Sequence, residues 1–180
     1  MLHPAILNVI HKLEGVIGKM YLFCGITAST LSDEGGQLPD CSLSEVLFED
    51  LVSFSLHISM ADGEISDAEI ECIKRLFSLK WSKEKFLQYS EDNALSVTAT
   101  PKTPEVLKYF AKADQIEIQT DGSIDTYSCE FLFDCFKAIG SLFIWCDGSA
   151  DANKQDAVAA YLTNLKACIN KEFPTLHLEA

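Results

Sequence analysis

Apolar residues recur at three- and four-residue steps through almost the whole chain. This period constrains the fold more than any other feature, because it paints one stripe on a helix and not one face of a strand. Ile6, Val9, Ile10, Leu13, Ile17, Met20, Tyr21 and Cys24 form such a stripe and predict a first helix over about 4–28. Ser42 with Glu45, and Ser66 with Glu69, are capping boxes, in which side chains satisfy the free N–H groups at a helix start. The helix after Ser42 reads "SEVLFEDLVSFSLHISMAD", and its nearly apolar second half is expected to be buried on most sides. Ile70, Ile73, Leu76 and Phe77 line the helix after Ser66, and Ser82 caps a short fourth helix over about 83–89. Thr103-Pro104-Glu105 opens a fifth helix that ends near Asp114, with Thr103 as its cap. Leu132, Phe136, Ile139 and Phe143 mark a sixth over about 127–145. Val158, Tyr161, Leu162, Leu165 and Ile169 mark a seventh over about 151–173. The segments 32–41 and 90–103 read as connections by composition, and "IEIQTDGSIDTY" reads as a small hairpin or an irregular loop. The expected fold is all-α, a single compact domain of about seven helices over 1–180.

Of the 180 residues, 48% are apolar, which suffices for one real core. A net charge of −13 repels phosphate backbones and anionic membranes, so no nucleic-acid partner is expected. The uncharged runs 20–32 and 51–61 fall short of the roughly 20 residues of a membrane span, so no direct membrane insertion is expected. Seven cysteines with no Cys-x-x-Cys, most of them inside apolar patterns, and no basic start of a signal peptide point to a reducing cytoplasm.

An internal repeat is visible by eye. "LVSFSLHISMADGEISDAEIECIKRLF" lies over "FKAIGSLFIWCDGSADANKQDAVAAYL" at a constant offset, which sets Asp62 over Asp147 and Gly63 over Gly148. Both copies read as an apolar helix, Asp-Gly, a cap and an amphipathic helix, that is, an αα-hairpin around an Asp-Gly turn, at about 42–80 and 127–173. Neither turn fits a twelve-position calcium loop, since Ile58 and Met60, or Phe143 and Trp145, occupy its first ligand positions. The Asp121-Gly122 turn comes nearer, with Glu117, Gln119, Asp121 and Asp125, but ends on Ser128 in place of a bidentate acid. A mechanical role accounts for the first turn: Gly63 ends one helix, and Ser66, Asp67 and Glu69 favour the positive end of the next. Asp62, Glu64, Asp67 and Glu69 are the candidate ligands for a weakly held divalent cation. Asp62, Glu64, Asp67, Glu71, Asp147 and Asp151 together form a candidate acidic surface for a partner.

The run "ISMADGEISDAEIECIKRLF" resembles the TerB-like family, through Ser59, Ala61, Asp62, Gly63, Ile65, Ser66 and Glu69. Gly140, Phe143, Asp147, Gly148, Tyr161, Leu162 and Leu165 extend the resemblance into the second copy, so that it covers about 43–169 with a poor match from Ser90 to Pro101. Lys154 stands where the first turn has Glu69, so an acidic site of the family would be thinner in the second half. The resemblance implies an all-helical domain, cytoplasmic use, and links to tellurite resistance and other metal-oxyanion stress, phage defence and membrane-associated complexes, without an established enzymatic activity.

No residue pattern marks a catalytic centre. His57 lacks a ligating partner three or four residues away, and His11 with Glu14 reads as a surface pair. Cys41 is the thiol expected in a loop, and no phosphate-binding, nucleophile-elbow or dinucleotide motif occurs. Phe131, Phe133, Phe136, Phe143 and Trp145 ring more of the sixth helix than one face requires, which predicts a central, buried helix. The functional expectation is therefore a non-enzymatic interaction module, with no catalytic residues and no cofactor. Its acidic surface engages a basic protein partner in a stress, phage-defence or toxin-neutralising complex, and a homodimer is a further arrangement. The alternative is a divalent-metal-binding protein built on the acidic Asp-Gly turn.

Overall fold

A computed structural model describes residues 2–93, 95, 103–122, 127–148 and 150–176. Among them run seven α-helices: α1 (Pro4–Asp33), α2 (Leu43–Ser59), α3 (Asp67–Leu76), α4 (Lys83–Asp92), α5 (Glu105–Asp121), α6 (Ser128–Trp145) and α7 (Ala152–Glu172). A short 3-10 turn, Met60–Asp62, joins α2 to α3. No strand occurs among the described residues, and none of their helices is long and apolar enough to cross a membrane.

The caps read from sequence hold at three of the helix starts. The Ser42 and Ser66 boxes are complete in both directions, and the Ser82 side chain accepts from Lys85 N at 3.3 Å. At α5 the cap is tertiary: Asp50, on α2, accepts from Val106 N at 2.8 Å, in the role expected of Thr103. A neighbouring helix thus supplies what the local sequence lacks.

Two boundaries differ from expectation. Helix α1 continues to Asp33 because its buried stripe extends through Thr27 to Leu31. Helix α5 continues past Asp114 to Asp121, so Ile116 and Ile118 are helical and form no hairpin. Their alternation imitates a strand, but α5 lies against α1 and α6, and Thr30 on α1 donates to Glu117 Oε1 at 3.4 Å. Buried Asp114 then ties α5 to the start of α6, accepting from Ser128 N at 3.1 Å, from Ser128 Oγ, and from Cys129 N at 2.8 Å.

All seven helices contribute to one hydrophobic core. Helix α6 lies at its centre, touching α1, α2, α5 and α7, as its ring of aromatics predicts. Phe54 of α2 meets Phe136 of α6 edge-on at 5.2 Å and Tyr161 of α7 at a tilt at 4.6 Å. Gly140 lets α6 and α7 approach: a Cβ there would stand 2.8 Å from a methyl of Val158. Trp145, at the end of α6, departs from the burial expected of that helix and is 54% exposed.

Candidate functional site

The repeated Asp-Gly segments end side by side. Gly63 follows the 3-10 turn at φ 105° and Gly148 follows α6 at φ 90°, left-handed values that a Cβ makes costly. Each glycine reverses the chain ahead of a helix start, α3 capped by Ser66 and α7 by Asp151. The 3-10 turn packs against α7, so both Asp-Gly turns and both caps face a common centre.

Lys154 occupies that centre. It lies in the first turn of α7, and its side chain is only 1% exposed. Its Nζ stands 2.8 Å from Asp147 Oδ2, 2.9 Å from Glu69 Oε1 and 3.3 Å from Asp62 Oδ2. Three carboxylates from three separate segments therefore converge on one ammonium. A lysine near a helix start opposes the positive end of the helix dipole, and burial adds a desolvation cost of several kcal/mol. The three acids offset both.

The oxygens are further fixed by Ser66. Its backbone N–H donates to Glu69 Oε2 at 2.8 Å, and its hydroxyl donates to Asp147 Oδ1 at 2.7 Å. Asp62 Oδ1 accepts from Glu64 N at 3.4 Å, at the long limit of a hydrogen bond. Glu69 Oε1 is fully buried, and its partner is the Lys154 ammonium at 2.9 Å. Burial pushes the Lys154 ammonium down, but hydrogen bonds and charge from Asp147 and Glu69 outweigh it and hold the lysine above its ordinary value. Burial likewise pushes Asp147 up, and is outweighed by Lys154 and Ser66, so this carboxyl sits below its ordinary value. For Glu69 burial prevails over the same partners and raises it. Glu69 is therefore the first of the pair to take up a proton as pH falls.

The acids named from sequence divide into two groups. Asp62 and Glu69 meet at Lys154, together with Asp147. Glu64 and Asp67 do not join them: Glu64 is exposed, and Asp67, 95% exposed, pairs with Lys83 at 3.3 Å. Glu71 pairs with Arg75 at 2.6 Å along α3, and Asp151 caps α7 by accepting from Lys154 N at 2.9 Å. Of the four acids named as ligands, Asp62 and Glu69 thus share a centre, with Asp147, and the Lys154 ammonium fills it. The Cys146 sulfur joins its edge, since ligand atoms of Glu69, Cys146 and Asp147 lie within 4.8 Å of one another. A hydrogen bond with Cys72, then burial, pushes the Cys146 thiol up, so it stays protonated.

Sequence reasoning missed Lys154 as the centre. The signal was present, because Lys154 falls over Glu69 in the repeat and positions of opposite charge in two facing copies can pair. The remaining candidates fall elsewhere. At the third Asp-Gly turn Glu117, Gln119 and Asp121 are helical, so they cannot form the calcium loop, while Ile124 and Asp125 lie outside the described residues. His57 is buried against Tyr161, ring centroids 5.9 Å apart, and His11 faces Glu14 at 3.3 Å on the surface. Cys41 is exposed beside a shallow cavity between α1 and the chain entering α2, lined also by Cys24, Leu38, Pro39 and Leu43.

No family model, no curated protein and no solved structure matches this chain.

Proposed function

We propose that the chain is a non-enzymatic, TerB-like interaction module that engages a basic protein partner through the rim around its two Asp-Gly turns. The observation that carries this reading is that Lys154 neutralises the cluster from beneath and only in part. Three carboxylates face one ammonium, and the side chains of Asp62 and Asp147 remain 28% and 31% exposed. Glu64 and Asp67 stand in solvent beside them. Exposed pairs such as Asp67 with Lys83 and Glu71 with Arg75 are worth little, so a partner's lysines or arginines exchange for them at small cost. Trp145, on the last turn before Cys146 and Asp147, adds an exposed aromatic of the type that anchors interfaces and accepts cations on its face.

This reading predicts attraction that steers a basic partner and weakens as salt screens it. The complexes expected are those of stress response, phage defence or toxin neutralisation, where an acidic rim plugs a basic surface. The test is capture of partner proteins by the immobilised chain at about 0.05 M and about 0.5 M salt, compared with an E64Q/D67N/W145A variant. Capture should fall at high salt, and fall in the variant at low salt with an unchanged melting midpoint, because the ion pairs of Lys154 are with Asp62, Glu69 and Asp147 and not with these three residues. Capture of the same partners by wild type and variant alike would remove the rim from the account.

A further inference from the structure

We propose that the outward face of α1 is a contact between two copies of this chain, packed antiparallel about a two-fold axis near Leu22. The helix period defines that face. Lys12, Gly15, Lys19, Leu22, Ile26 and Asp33 follow one another at steps of three, four or seven residues, so they share one side of α1, and each is exposed. The buried stripe of α1, from Ile10 to Leu31, lies on the other side. Leu22 and Ile26 are 72% and 56% exposed, more than any other large apolar residue described. Beside them opens a cavity of about 190 Å³, lined by Gly25, Ala28, Leu38 and Leu43 among others. An apolar cavity of roughly 150 Å³ admits benzene, so this one has room for a leucine side chain. One face thus carries both an apolar projection and an apolar recess. Two copies related by a two-fold axis satisfy both at once, because each gives its projection to the recess of the other. Gly15, Gly18 and Gly25 point the same way. Glycine weakens a helix interior, and a Cβ at any of the three would meet nothing within this chain. Packing inside one copy gives no reason for them, whereas close approach of a second helix does.

Charge selects the occupant and its orientation. Each copy carries a net charge of −13, so two copies repel unless they meet where acids are absent or matched. The residues lining the cavity carry no formal charge. Along α1 the bases Lys12 and Lys19 precede Leu22, and the acids Asp33 and Glu34 follow it. Glu14 stands at the flank and faces His11. Among the described residues, no ion pair within the chain joins Lys12, Lys19, Asp33 or Glu34. Asp33 closes the helix at the negative end of its dipole, where an acid is unfavourable, and the last turn supplies no base. Antiparallel packing about Leu22 sets Lys12 across from Asp33 of the second copy, once at each end of the contact. The stem of Lys19 then lies beside the second copy's Ile26. A parallel arrangement sets like charges side by side, so the charge pattern admits one orientation.

This inference uses no residue of the acidic rim, and its test needs only the chain itself. Sedimentation equilibrium is measured across roughly 1–100 μM protein at about 0.15 M salt. Wild type should pass from the mass of one chain to that of two as concentration rises. L22D/I26D should raise the dissociation constant about tenfold or more, since it places acids at the centre of the contact. K12D sets two acids against each other at each end and should also weaken the dimer. K12D/D33K should restore it, because the same pair is then present in reverse. Melting midpoints at the lowest concentration check that each variant is folded, and the exposed Lys12 and Asp33 carry the test if L22D/I26D is not. A wild-type chain that stays monomeric across the range overturns the proposal, whether or not it binds vesicles of zwitterionic lipid through the same face. So does a dimer that folded L22D/I26D leaves intact, or a K12D loss that D33K fails to repair.

Discussion

At the scale of single residues, two buried basic groups behave in opposite ways. Lys154 is charged because carboxylates surround it. His57 has no such company: burial pulls its pKa below the ordinary histidine value, so the folded protein keeps the ring neutral beside Tyr161. The unfolded chain protonates it near pH 6.5. A depressed folded pKa contributes stability that is present above about pH 6.5 and is lost as pH falls through that value toward the folded pKa. Wild type should therefore lose more stability between pH 7.5 and pH 5 than a His57→Gln variant, as read from urea midpoints at both pH values. Equal slopes would mean that His57 titrates freely in the fold. Neither behaviour was legible in the sequence. The apolar run around His57 gave its burial, but the state of Lys154 depends on residues 62, 69 and 147, which only the folded chain brings together.

At the scale of elements, the capping serines allow a comparison within one molecule. The Ser42 side chain and N–H bond Glu45 within the box at the start of α2. Ser66 closes an equivalent box at α3 and also donates to Asp147 across the junction. Ser42→Ala should cost about 1 kcal/mol, the usual worth of such a cap. Ser66→Ala should cost about 1–3 kcal/mol more, because a bond to a charged group goes with it. Denaturant unfolding of both variants checks this, and equal losses would mean that the Ser66–Asp147 bond adds nothing. The helices themselves were legible wherever a stripe and a local cap coincided, as at Ser42, Ser66 and Ser82. They were misread where tertiary partners decide: the end of α5, settled by packing on α1 and α6, and its start, capped by Asp50. A tertiary cap leaves no trace in the neighbouring sequence.

At the scale of the whole molecule, the core alone does not dictate how the two repeated segments meet. Both approach through α2, α6 and α7, where Phe54, Phe136, Tyr161 and the Gly140 crossing form a close-packed centre. Lys154 and its three carboxylates close the same junction from the polar side. A chain of net charge −13 works against its own self-repulsion when it gathers acids, and an internal ammonium lowers that cost. The central claim is that this buried ion cluster holds the junction together. Its most direct test is the urea unfolding free energy of Lys154→Met at pH 7, a change that keeps an apolar stem of similar shape and removes the ammonium. Breaking one side of a buried ion pair costs about 3–5 kcal/mol, and the account predicts a loss in that range. A loss within about 0.5 kcal/mol of wild type, the effect of an ordinary surface substitution, would contradict it.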